Sequence, residues 1–575
     1  MSSEKTSDPL PPYDPYEQRT TFVQRYSDQI TALVVFVATA LLTALSFPPY
    51  NVPEAAYVML VPGIYWAYRR PTFKRYALTL GAAQAVAWTI ILAWLHHVSW
   101  VGLFLLGPFV GLWVGAWFLG AWWLMPRMLG QPTFNRLMMM LGLAGAWVIV
   151  EWTRTWFLGG FSWLPLAASQ WQRTSILQIA TVTGSYGISF VLVAVNIGFA
   201  AYAHRLFREQ ASGFNKRSQE FFLAVFLLMG CLAVHFQEAF ARSRYSVPLA
   251  RVAFVQPDIP QTIKWDASKA QEIVGVLQQT TRAAAATLPE IILWPEASTP
   301  WSVQADPAMK SVVEGLAREA KVPLLLGSIA IEDQNTPKER WCNSAFIVDP
   351  EKGVRPVYYS KRHLVPFGEY IPLKPVLGWL RKVVPIGDDF TPGSTATPLA
   401  VGIAGDALLF GPLICYEDIF PSLSRDTVQL GANALVVVTN NAWFGEGGAA
   451  YQHAANSVLR AVEFRRPVLR CGNAGWSGWI DEFGTTRAVL TRDSAGVIHT
   501  EPQAAQSGTI YFRGVATVNV RRDSRWITAQ TFYSRHGDWF VLACVALAGI
   551  AVALARLVTP SEAPSEETDL TLRTG

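Results

Sequence analysis

The chain has 575 residues, of which 51% are hydrophobic and 15% charged, with a formal net charge of +5. An ordinary globular protein carries roughly 25% charged residues, so the composition excludes a simple soluble enzyme. The positive charge is small and dispersed, with no basic face interleaved with aromatics, which argues against a nucleic-acid binder.

Taken in chain order, residues 1–27 are rich in Pro and polar side chains and read as a disordered tail. Between Thr31 and Ala203 the only Lys, Arg, Asp or Glu are Glu54, Arg69, Arg70, Lys74, Arg75, Arg127, Arg136, Glu151, Arg154 and Arg173. Apolar stretches this clean read as membrane spans, because about 20 helical residues cross about 30 Å of hydrocarbon. Spans are expected near 29–46, 54–68, 76–97, 100–125, 134–156, 178–203 and 219–238, with an eighth at 538–557. The first is not a cleaved signal, since others follow at once and no small-residue cleavage site closes it. Loop charge then orients the array. Lys5, Arg19, Arg25, Arg69, Arg70, Lys74, Arg75, Arg127, Arg136, Arg205, Arg208, Lys216, Arg217, Arg556 and Arg573 fall on one side. Only Arg154 and Arg173 fall in the opposite short loops. The first side is therefore cytoplasmic, and the polar region between spans seven and eight is extracytoplasmic.

That region, residues 241–536, follows a seven-span membrane domain at 28–240 and precedes the eighth helix at 537–558 and a disordered cytoplasmic tail at 559–575. Short apolar runs at 250–256, 290–294, 322–329, 343–348, 354–360, 409–415, 434–439 and 467–472 read as buried strands. Helical patterns lie among them at 267–286, 307–320, 421–430 and 449–465, so an α/β layered domain is expected. Of five cysteines, Cys231 and Cys544 fall in spans, and Cys342, Cys415 and Cys471 match no zinc spacing. Neither metal nor cofactor is expected.

Three segments put a chemical group just past a buried strand, where α/β sheets gather their sites. IILWPEAS places Glu296, VYYSKRHLVPFGEYIP places Lys361 and Glu369, and GPLICYED places Cys415 followed by Tyr416 and Glu417. A carboxylate can take the thiol proton, the thiolate can attack a carbonyl, and an ammonium with a backbone N–H can stabilise the oxyanion. The nearby lysine would also favour the thiolate. A lone cysteine at a strand end is most often just a small buried residue; it is the set of three that points to catalysis. Arg154, at the outer end of the fifth span, suits either a lipid phosphate or a snorkelling anchor. The segment 371–390, with Trp379, Arg381 and Lys382, mixes apolar and basic residues as a lipid-dipping loop does.

WPEAS, YSKRHLVPFGEY and LICYED resemble the Glu–Lys–Cys signatures of the nitrilase (carbon–nitrogen hydrolase) superfamily. Within it, the eight-span frame resembles the bacterial apolipoprotein N-acyltransferase family, over roughly residues 25–558. FVQPDIPQTIKW, NNAWFG, RAVEFRRPVLRCGNAGWSG, GGFSWLP and TFYSRHGDWF agree with it. The resemblance implies an αββα sandwich with Glu296, Lys361 and Cys415 as the catalytic triad. It also implies Glu369, Tyr416, Glu417, Trp265 and Asn343 as supporting residues. The reaction implied moves an acyl chain from a phospholipid, usually phosphatidylethanolamine, through a Cys thioester to the N-terminal amine of a diacylglyceryl-Cys apolipoprotein. A monomer in the bacterial inner membrane, with its catalytic domain in the periplasm, is expected. Two alternatives stay open on the residues alone. A membrane-tethered amidase would use the same triad but needs at most one anchor; a transporter would place ionisable groups mid-span, where this chain has almost none.

Overall fold

The computed structural model describes residues 26–208, 217–372, 374–379, 389–403, 405–503 and 508–557. Among them, six helices are long and apolar enough to cross a membrane: Ser27–Leu45, Trp100–Met128, Thr133–Thr153, Ser185–Arg208, Gln219–Phe240 and Trp539–Arg556. The other two expected spans take different forms. The run at 76–97 becomes a helix Phe73–Ile91 followed by a 3-10 turn Ala93–His97. The run at 54–68 breaks into a 3-10 turn Pro53–Tyr57 and a short helix Val61–Tyr68, because Pro53 and Pro62 cannot continue a helix from the preceding turn. Broken backbone at membrane depth must find partners inside the protein. Asn196 on Ser185–Arg208 supplies them: its Oδ1 accepts from Leu60 N at 2.8 Å and its Nδ2 donates to Ala56 O at 2.8 Å.

The last membrane helix packs on Thr133–Thr153, where small residues permit close contact. A Cβ at Gly142 would sit 2.6 Å from Leu547 O, and one at Gly145 would sit 2.9 Å from Cys544 O. The helix Gln219–Tyr245 runs directly into strand β1 (Ser246–Gln256), so the chain enters the polar region without a linker.

That region is an αββα sandwich. One sheet contains β1, β2 (Ile291–Leu293), β3 (Leu324–Glu332), β4 (Arg340–Asp349), β5 (Gly353–Val354) and β6 (Tyr359–Ser360), with the strand Gly514–Asp523 antiparallel to β1 at its edge. The other runs β12 (Thr486–Val489), β11 (Gly478–Ile480), β10 (Val468–Gly472), β9 (Ala434–Thr439), β8 (Asp406–Ile414) and β7 (Leu399–Ile403). Alternation along each strand divides its side chains between two cores. Val252, Phe254, Ile291 and Leu293 meet Ile414, Val436 and Val438 between the sheets. Ala253, Val255 and Ile292 face the outer helices Ala270–Ala285 and Pro307–Ala320. On the far side, Leu413, Leu435 and Val437 join Ala454, Val458 and Val462 of the helix Ala449–Phe464 in a core continuous with the membrane helices. The expected strand at 354–360 is only two short pieces, and the edge strand Gly514–Asp523 was not expected, because its polar face gives no apolar run.

Candidate active site

Strand ends of both sheets converge on one cluster. Glu296 lies in the turn after β2, and Gly327 of β3 backs directly onto it: a Cβ there would sit 2.7 Å from Glu296 Cα. Lys361 follows β6, its N–H donating to Asn343 O at 2.8 Å and its carbonyl accepting from Gly393 N at 2.8 Å. Cys415 ends β8 in the left-handed region at φ 52°, and Ala297, beside Glu296, has φ 42°. Such positions cost about 1–3 kcal/mol each and gather at functional sites.

The side chains meet. Lys361 Nζ lies 3.5 Å from Glu296 Oε1 and 2.9 Å from the Glu369 carboxylate. Asn343 Nδ2 donates to Glu296 Oε1 at 2.8 Å and to Glu369 Oε1 at 3.1 Å. Glu296 Oε2 accepts from the Asn440 N–H at 2.9 Å, and Thr439 Oγ1 donates to Cys415 Sγ at 3.3 Å. All five cysteines are free, and Cys415 is the only one not fully buried.

Electrostatics sets the resting protons. Burial opposes charge on Glu296, but Lys361, Lys264 and the Asn343 amide together outweigh it and hold the carboxyl below the usual range. Burial would also strip Lys361, yet Glu369 and Glu296 hold its ammonium well above the usual lysine range. Burial and then the Glu296 charge push the Cys415 thiol up to about 12, against the pull of Lys361 and Thr439. The resting pair is therefore a carboxylate and a thiol, not the thiolate that proximity to lysine alone leads one to expect.

The remaining expected residues divide. Glu417 is fully buried and braces the segments that carry Lys361 and Cys415. Its Oε2 accepts from Ile414 N at 2.7 Å and Tyr359 OH at 2.9 Å, and its Oε1 from Arg362 N at 2.6 Å. Tyr416 turns its hydroxyl away from the triad to donate to Gly160 O at 2.8 Å, in the membrane-domain segment GGFSWLP. Trp265 and Trp379 are exposed, at 53% and 62%, and the Trp265 ring centroid lies 5.9 Å from Lys264 Nζ at the edge of the cluster. Arg154 is buried, stacked over Trp88 and donating to Trp163 O, so it is neither a snorkelling anchor nor open to a headgroup. Arg381 and Lys382 lie outside the described residues.

Several residues at the site escaped sequence reasoning. Lys264 is buried, donates to Glu296 O at 3.1 Å, and is brought down to about 8 by burial against the Glu296 charge. Thr439, Asn440 and His453 also touch the triad's backbone or side chains. QTIKW and NNAWFG contain Lys264 and Asn440 only as motif likeness, because Lys264 comes from the loop after β1, Thr439 and Asn440 from the end of β9, and His453 from the helix Ala449–Phe464. Among the described residues, no group of three or more His, Cys, Asp or Glu could hold a metal ion.

The comparisons with known proteins follow this division of the chain. The model of the apolipoprotein N-acyltransferase N-terminal domain matches residues 39–198, and the carbon-nitrogen hydrolase model matches 251–511. A relative from Geobacter metallireducens, named apolipoprotein N-acyltransferase, is 32% identical over 542 residues, covering 90% of this chain and 94% of its own. A second with that name, from Brucella suis biovar 1, is 31% identical over 509 residues, covering 81% and 88%. Among solved structures, an amidase from Nesterenkonia sp. is 18% identical with a TM-score of 0.33, covering 48% of this chain and 92% of that one.

Proposed function

The chain belongs to the apolipoprotein N-acyltransferase family, and from that premise we propose how its site performs the N-acylation of lipoproteins. The observation that carries the mechanism is the convergence of Glu296, Lys361 and Cys415 in one cluster.

Glu296 takes the Cys415 proton as sulfur attacks the ester carbonyl of a phospholipid, phosphatidylethanolamine in this proposal. A carbon–sulfur bond forms, and the carbonyl electrons move to oxygen. The Lys361 ammonium and the Tyr416 N–H stabilise that oxyanion. Its collapse breaks the carbon–oxygen bond, and the leaving lysophospholipid oxygen takes the proton from Glu296. The remaining thioester is attacked by the α-amine of the diacylglyceryl-Cys acceptor, whose proton passes to Glu296 and then to the departing sulfur. Two half-reactions on one thiol suit two bulky lipid substrates, since the first product leaves before the second enters. Glu369 and Asn343 hold Lys361 and Glu296 in register, and Glu417 positions the segments that carry Lys361 and Cys415. The enzyme acts as a monomer in the inner membrane, with this domain in the periplasm, as the loop-charge asymmetry favours.

With phospholipid and no acceptor, a fatty-acyl adduct accumulates on Cys415, and it is released by neutral hydroxylamine or by a diacylglyceryl peptide. Mass spectrometry of the Cys415 peptide against those of Cys342 and Cys471 reads the result. Acyl transfer surviving Cys415→Ala sinks the mechanism, and release of free fatty acid with no transfer to the peptide favours an amidase-like hydrolase.

A further inference from the structure

Behind the nucleophile, the helix Ala449–Phe464 carries two adjacent, fully buried polar residues that the triad does not use, Gln452 and His453. Gln452 is bound entirely to the membrane domain. Its Oε1 accepts from Trp94 Nε1 at 2.9 Å and Trp163 Nε1 at 2.8 Å. Its Nε2 donates to Pro48 O at 2.8 Å and Ile91 O at 2.7 Å. Every hydrogen-bonding position of the amide is filled, from three separate membrane-domain segments.

His453 turns the other way. Its Nε2 lies 3.0 Å from Cys415 O and 2.8 Å from Asp418 Oδ1, and its Nδ1 lies 3.1 Å from Asn441 Oδ1. Its ring packs against Trp163, 5.3 Å between centroids. Asp418 is itself fixed by Ser457 Oγ at 2.5 Å and by Arg470. The peptide between Cys415 and Tyr416 is a rigid plane in which the C=O and the following N–H point in opposite directions. A donor holding Cys415 O therefore also aims the Tyr416 N–H. Cys415 at φ 52° is strained, so this peptide depends on such a hold.

We propose that His453, seated in the membrane domain through Gln452, is a positioning residue that orients the Cys415–Tyr416 peptide so that the Tyr416 N–H meets the oxyanion. The inference rests on Cys415 being the nucleophile. It makes the oxyanion site a joint product of the two domains: the catalytic domain supplies the N–H and the membrane domain sets its direction.

The test uses full-length protein in phospholipid–detergent micelles, with His453→Leu, His453→Gln and Gln452→Leu. Two rates are read at Cys415: single-turnover acylation by phospholipid, which develops an oxyanion, and alkylation by iodoacetamide, which does not. In His453→Leu, acylation at saturating phospholipid falls about 10²-fold, the usual effect of losing one oxyanion donor, while the half-saturating phospholipid concentration and the alkylation rate stay within about threefold. His453→Gln, whose Nε2 can still donate to Cys415 O, recovers about tenfold of that loss, and Gln452→Leu loses acylation without losing alkylation. Acylation within about threefold of wild type in His453→Leu overturns the proposal, as does alkylation falling in parallel with it. If His453→Leu does not accumulate, His453→Gln is compared with the shorter His453→Asn, and equal acylation rates overturn it. No acyl adduct on wild-type Cys415 overturns the nucleophile assignment, and this inference with it. An adduct formed at the wild-type rate in His453→Leu overturns the inference alone.

Discussion

Glu296 and Cys415 share one proton, and their neighbours decide where it rests. Two lysines stabilise the carboxylate, while burial and that same carboxylate disfavour the thiolate. Alkylation of Cys415 should therefore still climb about tenfold per pH unit at pH 9, where an ordinary thiol has begun to level off. Glu296→Gln removes the adjacent negative charge, so alkylation at a given pH should speed up while acyl transfer falls by several orders of magnitude. A plateau below pH 8 in the wild type would contradict this balance. Lys264 gives a second handle. Its charge lowers the Glu296 carboxyl, so Lys264→Met should move the acid limb of acylation to higher pH. An unshifted limb in a folded variant would show that Lys264 does not act on Glu296.

The turns of the sandwich work because neighbouring strands come unusually close. Gly327 in β3 faces the Glu296 turn so tightly that an added methyl would meet Pro295 O at 2.6 Å and Ala297 N at 2.8 Å. Its φ is not in the left-handed region, so Ala costs no backbone strain, only space. Gly327→Ala should then push the turn, and with it Glu296, by a fraction of an ångström, lowering acylation by about 10²-fold. Circular dichroism and a thermal melt check that the fold is kept; wild-type acylation would show that the turn has slack. Glu417 does similar bracing between β8 and the Lys361 segment with one carboxylate, so a residue two places past Cys415 fixes both segments from behind.

Across the whole molecule the catalytic domain shares a core with the membrane helices instead of hanging from them. Tyr416 and His363 bond to Gly160 O and Gly159 O, and Ser185 N donates to Glu463 Oε1. For topology, a protease site inserted at Ala495, on an exposed turn of the sandwich, should be cut from outside in intact spheroplasts, and one inserted at Thr72 should be protected. Cleavage at Thr72 with protection at Ala495 would invert the orientation.

Two things were settled by the sequence alone. The polytopic membrane domain and the α/β region follow from charge-free runs and from strand-length apolar runs, since hydrocarbon thickness and sheet burial act on local segments. Glu296, Lys361 and Cys415 could be picked out because each follows a buried strand in an unusual local context, but that they meet was not legible. Only the tertiary structure decided the rest. The break in the second span at Pro53 and Pro62 is tolerated because Asn196, 136 residues from Leu60, satisfies the backbone groups it frees. Lys264 and His453 enter the site from strand ends and a helix far away in the chain, so no local pattern marks them. The thiol stays protonated because burial and the Glu296 charge outweigh the lysine, a balance set by distances in space that residue order does not carry.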